Sequence, residues 1–471
     1  MASADDGTPA RSPRTSALLA RDETPNKEEM KELYATLATF RRAGTLAILL
    51  ACCFARAASW RTVSVEDYGA KGDNSTDNTA AFRQALLVVR TDGGGEVIVP
   101  DAGVFRTAPF NLSSNVLLRV EGVVRGVDEQ AAFPVVGVLP SYGHDTDTNG
   151  PARRHPLVWA VDARNVTIAG RGTIDGAGEL WWPNFYNKSI PGAHIGRPHL
   201  VEMLNVTGVD IRGVTLLNSA FWTLHPTYCR DVHIHDMRIV TPWCQQYKCA
   251  NTDGIDVDSS SDVLIERNYI SCGDDHVTIL SGAGAAGRAF AMPSRNVTVR
   301  DNRLGTGMGM TVGSSISGGI EGVLYQNNVM EEQAGEWGQG AHIKTRVTYG
   351  GYIRDAAWVD NVIQVAGSPG GALVIESGYQ SAGQCTADTC TQVSGIVFRN
   401  LTVHKGGLGS IDCYPARPCE NVTFEDVHIN ATGTWSCKNV ASGTVKNVSP
   451  PGLAEACGFA PAPAPGVGQA A

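Results

Sequence analysis

Between Asn251 and Gly282 the chain reads NTDGIDVDSSSDVLIERNYISCGDDHVTILSG. Five aspartates lie there, Asp253, Asp256, Asp258, Asp274 and Asp275, around a strand-like run at Val263-Leu264-Ile265. Asp253 and Asp274 stand 21 positions apart. In a coiled stack of short strands about 4.8 Å apart, one turn of chain brings a later residue above an earlier one. The spacing then sets Asp253 beside the Asp274–Asp275 pair. Strict alternation would send the two members of the pair to opposite sides, and Gly273 permits a bend that aims both one way. Three carboxylates in one cleft suit acid–base hydrolysis. Crowded like charges keep one group protonated as an acid while others stay ionised as bases. The plainer reading is a set of turn-forming acids with solvated side chains.

The elements that would carry these residues are short. One helix is expected over Ala80 to Val89, with Asp77 as its N-cap. Gly93-Gly94-Gly95 then marks a turn and Glu96 to Pro100 a strand. Beyond that point long helical periodicity is missing. A unit of Asn-Val-Thr plus an apolar residue recurs at Asn165, Asn296 and Asn421, with related runs at Val232, Val263 and Val397. Centres recur roughly every 25–35 residues, the mark of a solenoid. The expectation is an all-β chain, a single-stranded right-handed parallel β-helix with one short N-terminal capping helix. A β-sandwich is the alternative, and it does not explain the repeated unit.

The ends differ from this texture. Residues 1–59 read as a polar extension followed by Arg41-Arg42, an apolar run from Thr45 to Phe54, and Ala55-Arg56-Ala57. That order describes a secretory signal cleaved near Ala57 or Ala58, with an uncleaved anchor or a start at Met30 as alternatives. The apolar run is short of the ~20 residues of a membrane span. The β-helix is expected over 60–445, and a Cys-containing, Pro/Ala-rich tail over 446–471. Twelve cysteines are present, and the close pairs Cys385/Cys390 and Cys413/Cys419 read as loop-closing disulfides of a secreted chain. No histidines stand at zinc-ligand spacing beside them. Asn-x-Ser/Thr sites abound, and those that open strands are also explained as asparagine turning a corner. The net charge of −9 argues against nucleic acid, which needs a basic face. It also means that an acidic sugar must be held by a local basic patch.

NTDG, then GDD, then Gly-x-Gly, then Ile-Lys, in that order, resembles the polygalacturonase family, glycoside hydrolase family 28, of plant and algal type. The entry sequence Val65 to Asp73, Arg197-Pro198-His199-Leu200-Val201 and Asn218 to Thr223 are similar too. The resemblance runs from about Val63 to about Ile429 and implies the same β-helix. It implies that Asp274 is the general acid and that Asp253 and Asp275 hold and activate water, as in an inverting glycosidase. It implies that Lys344 grips the sugar carboxylate and that Tyr379 packs on substrate. Arg346 is a further candidate for the same patch. Five positions depart from the pattern. Met308 stands where the family has the histidine of Gly-His-Gly. His342 stands for the arginine of Arg-Ile-Lys and lacks its bidentate fork. His276 follows the Asp pair, and it is either a substrate-side replacement for the missing imidazole or a structural histidine. Leu280 and Ser315 also differ from common family residues.

The leading expectation is a secreted, monomeric hydrolase of α-1,4-galacturonan or a related pectic chain, with no cofactor and no metal. A non-catalytic or weakly active pectin-binding β-helix is the alternative, motivated by Met308 and His342. A calcium-dependent lyase, with Asp256, Asp258 and the Asp pair as ligands, is the third reading.

Overall fold

The computed structural model describes residues 60–101, 103–143, 153–183, 196–242, 249–331, 338–364 and 371–459. The signal or anchor reading of the first 59 residues and the end of the tail, from Ala460, lie outside them.

Among the described residues every ladder between strands is parallel, and two sheets wind into a right-handed parallel β-helix. One column of inward residues runs Ile211, Ile234, Ile265, Val299, Tyr325, Trp358, Phe398, Phe424, each the register partner of the last. Its aromatic members stack with centroids 5.4, 5.3 and 5.2 Å apart. Such pairs contribute about 0.5–1.5 kcal/mol each beyond the area they bury.

Buried asparagines set the rung length. Asn302 Oδ1 accepts the backbone N–H of Asn268, Asn328 Oδ1 that of Asn302, and Asn361 Oδ1 that of Asn328. These steps are 34, 26 and 33 residues, the irregular repeat seen in the sequence. The Asn-Val-Thr units sit at corners. Asn165, Asn296 and Asn421 have φ of 54°, 52° and 53°, a region asparagine tolerates better than most residues. Asn296 Nδ2 donates to Asp262 on the rung before, at 2.7 Å.

The helix spans Thr79–Thr91 and closes the N-terminal end of the column. Its face of Ala81, Phe82, Ala85, Leu86 and Val89 is buried, and Phe82 packs on Phe110 at 5.2 Å. The cap lies one residue later than expected. Asn78 is the N-cap, and its side chain turns away to bond the backbone of Lys71 and Arg106. Asp77 still accepts the Thr79 N–H, at 2.9 Å. Among the described residues two further short α-helices occur: Gly284–Phe290 lies in the connection after Val277–Leu280, and Leu453–Cys457 follows the last strand.

The expected boundary at 445 is corrected. It falls inside the strand Gly443–Ser449, which pairs with Glu420–Ile429 as the next rung. Leu453 beyond it is buried, and Cys457 is bonded to Cys437. The disulfides Cys385–Cys390 and Cys413–Cys419 are present as read, and Cys249 is also disulfide-bonded. Cys229 and Cys272 are buried free thiols.

Candidate active site

The smaller sheet positions the site. Its strands Ile255–Asp258, Val277–Leu280, Met310–Val312 and Gln339–Thr345 stack in register. Ile255, Val257, Val277, Ile279, Met310 and Val312 fill the core. Alternation therefore turns Asp256, Thr278, Thr311 and His342 outward as one row. The ladder extends upstream of these strands: Thr223 N–H donates to Asp253 O, Gly254 N–H to Asp275 O, and Met308 N–H to Asp274 O. Asp253 and the pair are thus on adjacent rungs. One oxygen from each of Asp253, Asp274 and Asp275 lies within 4.8 Å of the others.

The three carboxyls have different surroundings. Lys344 Nζ donates to Asp275 Oδ2 at 2.6 Å, and Thr311 Oγ1 donates to Asp275 Oδ1 at 2.7 Å. Burial pushes the Asp275 pKa up, but Lys344, His342 and Thr311 together outweigh it, and the net shift is downward. Asp274 accepts the N–H of Asn251 at 3.1 Å and of Asp275 at 3.0 Å. Burial and the charge of Asp275 push it up to about 6. Asp253 is 5% exposed, its Oδ1 has no hydrogen-bond partner, and burial together with Asp274 raises its pKa well above the usual range. Asp256 is enclosed with both oxygens unpartnered, and burial followed by Asp275 raises it as well. Four acids and one lysine thus hold at least one proton between them into the mildly acidic range.

Lys344 lies with its ammonium 5.0 Å over the Tyr379 ring. Burial opposes its charge, but Asp275 more than restores it, and its pKa is raised. His342 is 2% exposed. Neither of its ring nitrogens has a hydrogen-bond partner, and Glu376 Oε2 is 3.8 Å from Nε2. Burial lowers its pKa, which favours the neutral ring. Arg346 is half-buried and donates to Gln380 at 3.2 Å. Met308 is half-buried, one backbone hydrogen bond from Asp274.

The substrate-binding reading of His276 is corrected. The ring is fully enclosed; its Nδ1 accepts the Gly309 N–H at 3.2 Å, so Nε2 carries the proton and donates to Gly305 O at 2.9 Å. His276 fastens the loop that carries Met308. A Cβ at Gly307 would meet its Nε2 at 2.3 Å, so that position requires glycine.

Several participants were not singled out from the sequence. Thr311 holds the second oxygen of Asp275; strand alternation after Gly-Met-Gly was the available signal. Arg197 was part of a quoted motif without a role. It donates to Ala220 O, to Ala250 O and to Asn251 Oδ1, at 3.0, 2.6 and 3.1 Å, and so holds the residue whose N–H supports Asp274. Further along the row lies a buried ionic chain. Arg153 bonds both oxygens of Glu202, at 2.5 and 2.6 Å, and His225 sits between Glu202 at 3.2 Å and Asp258 at 3.5 Å.

Metal ligation was tested against this set. His199, Glu202 and His225 present donor atoms within 4.8 Å of one another, but Glu202 is already neutralised by Arg153. Asp258 is committed to Tyr142 Oη, Ser259 and the Gly282 N–H. The calcium set of Asp256 and Asp258 with the Asp pair does not form one group among the described residues.

A family model described as glycosyl hydrolases family 28 matches residues 99–448. The chain is 29% identical over 403 residues to a probable polygalacturonase of Vitis vinifera, spanning 83% of this chain and 79% of that protein. It is 27% identical over 387 residues to an endo-polygalacturonase of Pectobacterium carotovorum subsp. carotovorum, spanning 79% and 88%. The structure of an exopolygalacturonase from Thermotoga maritima superposes with a TM-score of 0.65 at 27% identity, covering 82% of this chain and 92% of that one. An endo-xylogalacturonan hydrolase from Aspergillus tubingensis gives 0.65 at 16% identity over 83% and 99%, a likeness of fold alone.

Proposed function

The chain belongs to glycosyl hydrolases family 28, and from that membership we propose how its groove works. It is a glycosidase that hydrolyses the galacturonan of pectin at α-1,4 bonds. The observation that carries the residue roles is three carboxyls within 4.8 Å of which one, Asp275, is paired with a lysine. Asp274, protonated up to about pH 6, gives its proton to the glycosidic oxygen as that bond breaks. Asp253 and Asp275 hold a water; Asp275, kept ionised, takes its proton and directs its oxygen onto the anomeric carbon from the opposite face. Inverting pairs commonly stand about 6.5–9.5 Å apart. The 4.8 Å bound here is between the nearest oxygens of the three carboxyls, which share one side of the groove. Lys344 keeps Asp275 ionised and, with Tyr379 and Arg346, faces the sugar.

Asp274→Asn should lower kcat at least ~100-fold with KM little changed, because the amide keeps the shape and loses the acid. Following fresh product by NMR should give the β anomer first. Comparable activity in the variant would sink the acid assignment, and an α anomer would sink inversion.

The disulfides support a secreted, extracellular destination. A secreted form beginning at or just after Ala57 on N-terminal sequencing is expected. A cytosolic protein retaining Leu46 to Ala58 would contradict it.

A further inference from the structure

We propose that Glu376 and His342 make the part of the groove beside Lys344 selective for an uncharged sugar unit rather than a free uronate. The inference rests on the hydrolase reading above and concerns which pectic chain that site takes.

Three observations carry it. Glu376 is the register partner of Lys344 on the adjacent strand and lies on the same outward face. Its side chain is 45% exposed. Among the described residues no lysine or arginine forms an ion pair with it; its nearest basic group is the His342 ring at 3.8 Å. The next residue in that row, Asp412, does have a cation, Lys438 at 3.6 Å, so Glu376 is the uncompensated member. Secondly, His342 is almost wholly enclosed with both ring nitrogens unpartnered. Burial favours its neutral form, and Glu376 does not reverse the shift. A neutral imidazole offers one N–H and one lone pair, which suits hydroxyl groups and gives a carboxylate no charge. Thirdly, the charge of Lys344 is already matched by Asp275 at 2.6 Å. Lys344, Asp275, His342 and Glu376 together carry one net negative charge. Arg346, the other cation nearby, donates to Gln380 and lies 5.8 Å over the Tyr349 ring.

A free uronate set over Lys344 and Tyr379 would lie about one strand spacing, ~4.8 Å, from the Glu376 carboxylate. Like charges at that distance repel, and partial exposure screens the effect to on the order of tenfold in binding. An esterified uronate, or a neutral sugar, loses nothing there. Its hydroxyls can donate to the exposed Glu376 carboxylate, and the enclosed His342 ring beside it places no cation there for a carboxylate.

The test uses the full chain carrying Asp274→Asn, so that bound chains stay intact. Titration calorimetry compares three oligosaccharides of equal length: unesterified oligogalacturonate, its methyl ester, and a chain alternating galacturonate with a neutral sugar. At least one uncharged-unit chain should bind about tenfold more tightly than the unesterified one. Adding Glu376→Gln should remove most of that ratio, and adding His342→Arg should tighten the unesterified chain specifically. The ester and alternating arms tell the two sources of an uncharged unit apart. Equal or tighter binding of the unesterified chain, a ratio unmoved by Glu376→Gln, or no binding of any chain would overturn the proposal. Reducing-end release by the parent protein on the same panel reports separately on the hydrolase reading. Selective binding without any release would sink that reading and leave the preference standing.

Discussion

Replacing Lys344 by methionine removes the ammonium and keeps most of the side-chain volume. The pair it breaks is short and dry: Nζ to Asp275 Oδ2 is 2.6 Å, with the side chains 11% and 2% exposed. Unit charges about 4 Å apart interact by about 4 kcal/mol at an effective dielectric near 20. Since 1.36 kcal/mol is about one pKa unit, Asp275 should climb by roughly 2–3 units, held back by His342 and Thr311. The sign follows from the direction of its present shift. Asp275 is depressed in the folded protein, so the base is ionised above that low value and is lost as pH falls through it. The alkaline limb of kcat/KM is set by Asp274 losing its proton at about 6. Lys344 also lowers Asp274 but bonds only Asp275, so in Lys344→Met the acid limb should move up further than the alkaline limb, the bell should narrow, and its maximum should drop. Measuring reducing-end release across the acidic and neutral range, with KM at each pH, reads this directly. Leaving Asp275 buried without its partner should also cost about 3–5 kcal/mol of stability where it is ionised. An acid limb that stays in place while KM alone rises would refute the reasoning. It would show that Lys344 acts on the sugar and not on the base.

Two further outcomes follow from the same electrostatics. Asp256 has a raised folded pKa, so no penalty exists below its unfolded value near ~4, and the penalty grows as pH rises through the folded value. The protein should therefore melt at a lower temperature at neutral than at mildly acidic pH. Asp256→Asn should shrink that difference by about 1–3 kcal/mol, and a melting profile unchanged by the substitution would count against it. Met308→His places an imidazole on the residue whose N–H bonds Asp274 O. Its protonated form favours the ionised acid, so the alkaline limb should shift below about 6, and an unmoved limb would show that the position does not sense the acid.

The linear order of residues carried much of this protein. Asn-Val-Thr units, glycine turns and missing helical period are local signals, and a parallel β-helix is built from local rungs. Rung length and carboxylate spacing were therefore legible together, because 21 residues is close to the 22-residue rung that sets Ile255 beside Val277, and a rung returns the chain to the same height. The N-terminal helix and two close disulfides were readable for the same reason. The boundary at 445 was not, since composition thins there while the strand Gly443–Ser449 is held by its partner and by Cys437–Cys457. Nor was the division of labour among the acids. Asp274 and Asp275 are neighbours of one type, and only the fold sets Lys344 and Thr311, from two later rungs, against one of them. His276 and His342 show the same limit. One is fastened under the Gly305–Gly309 loop and the other is enclosed beside Glu376. Sequence fixes which groups exist and at what repeat they recur. Which groups lose water and which charges meet is decided by packing between rungs, because both depend on distances that chain separation does not encode.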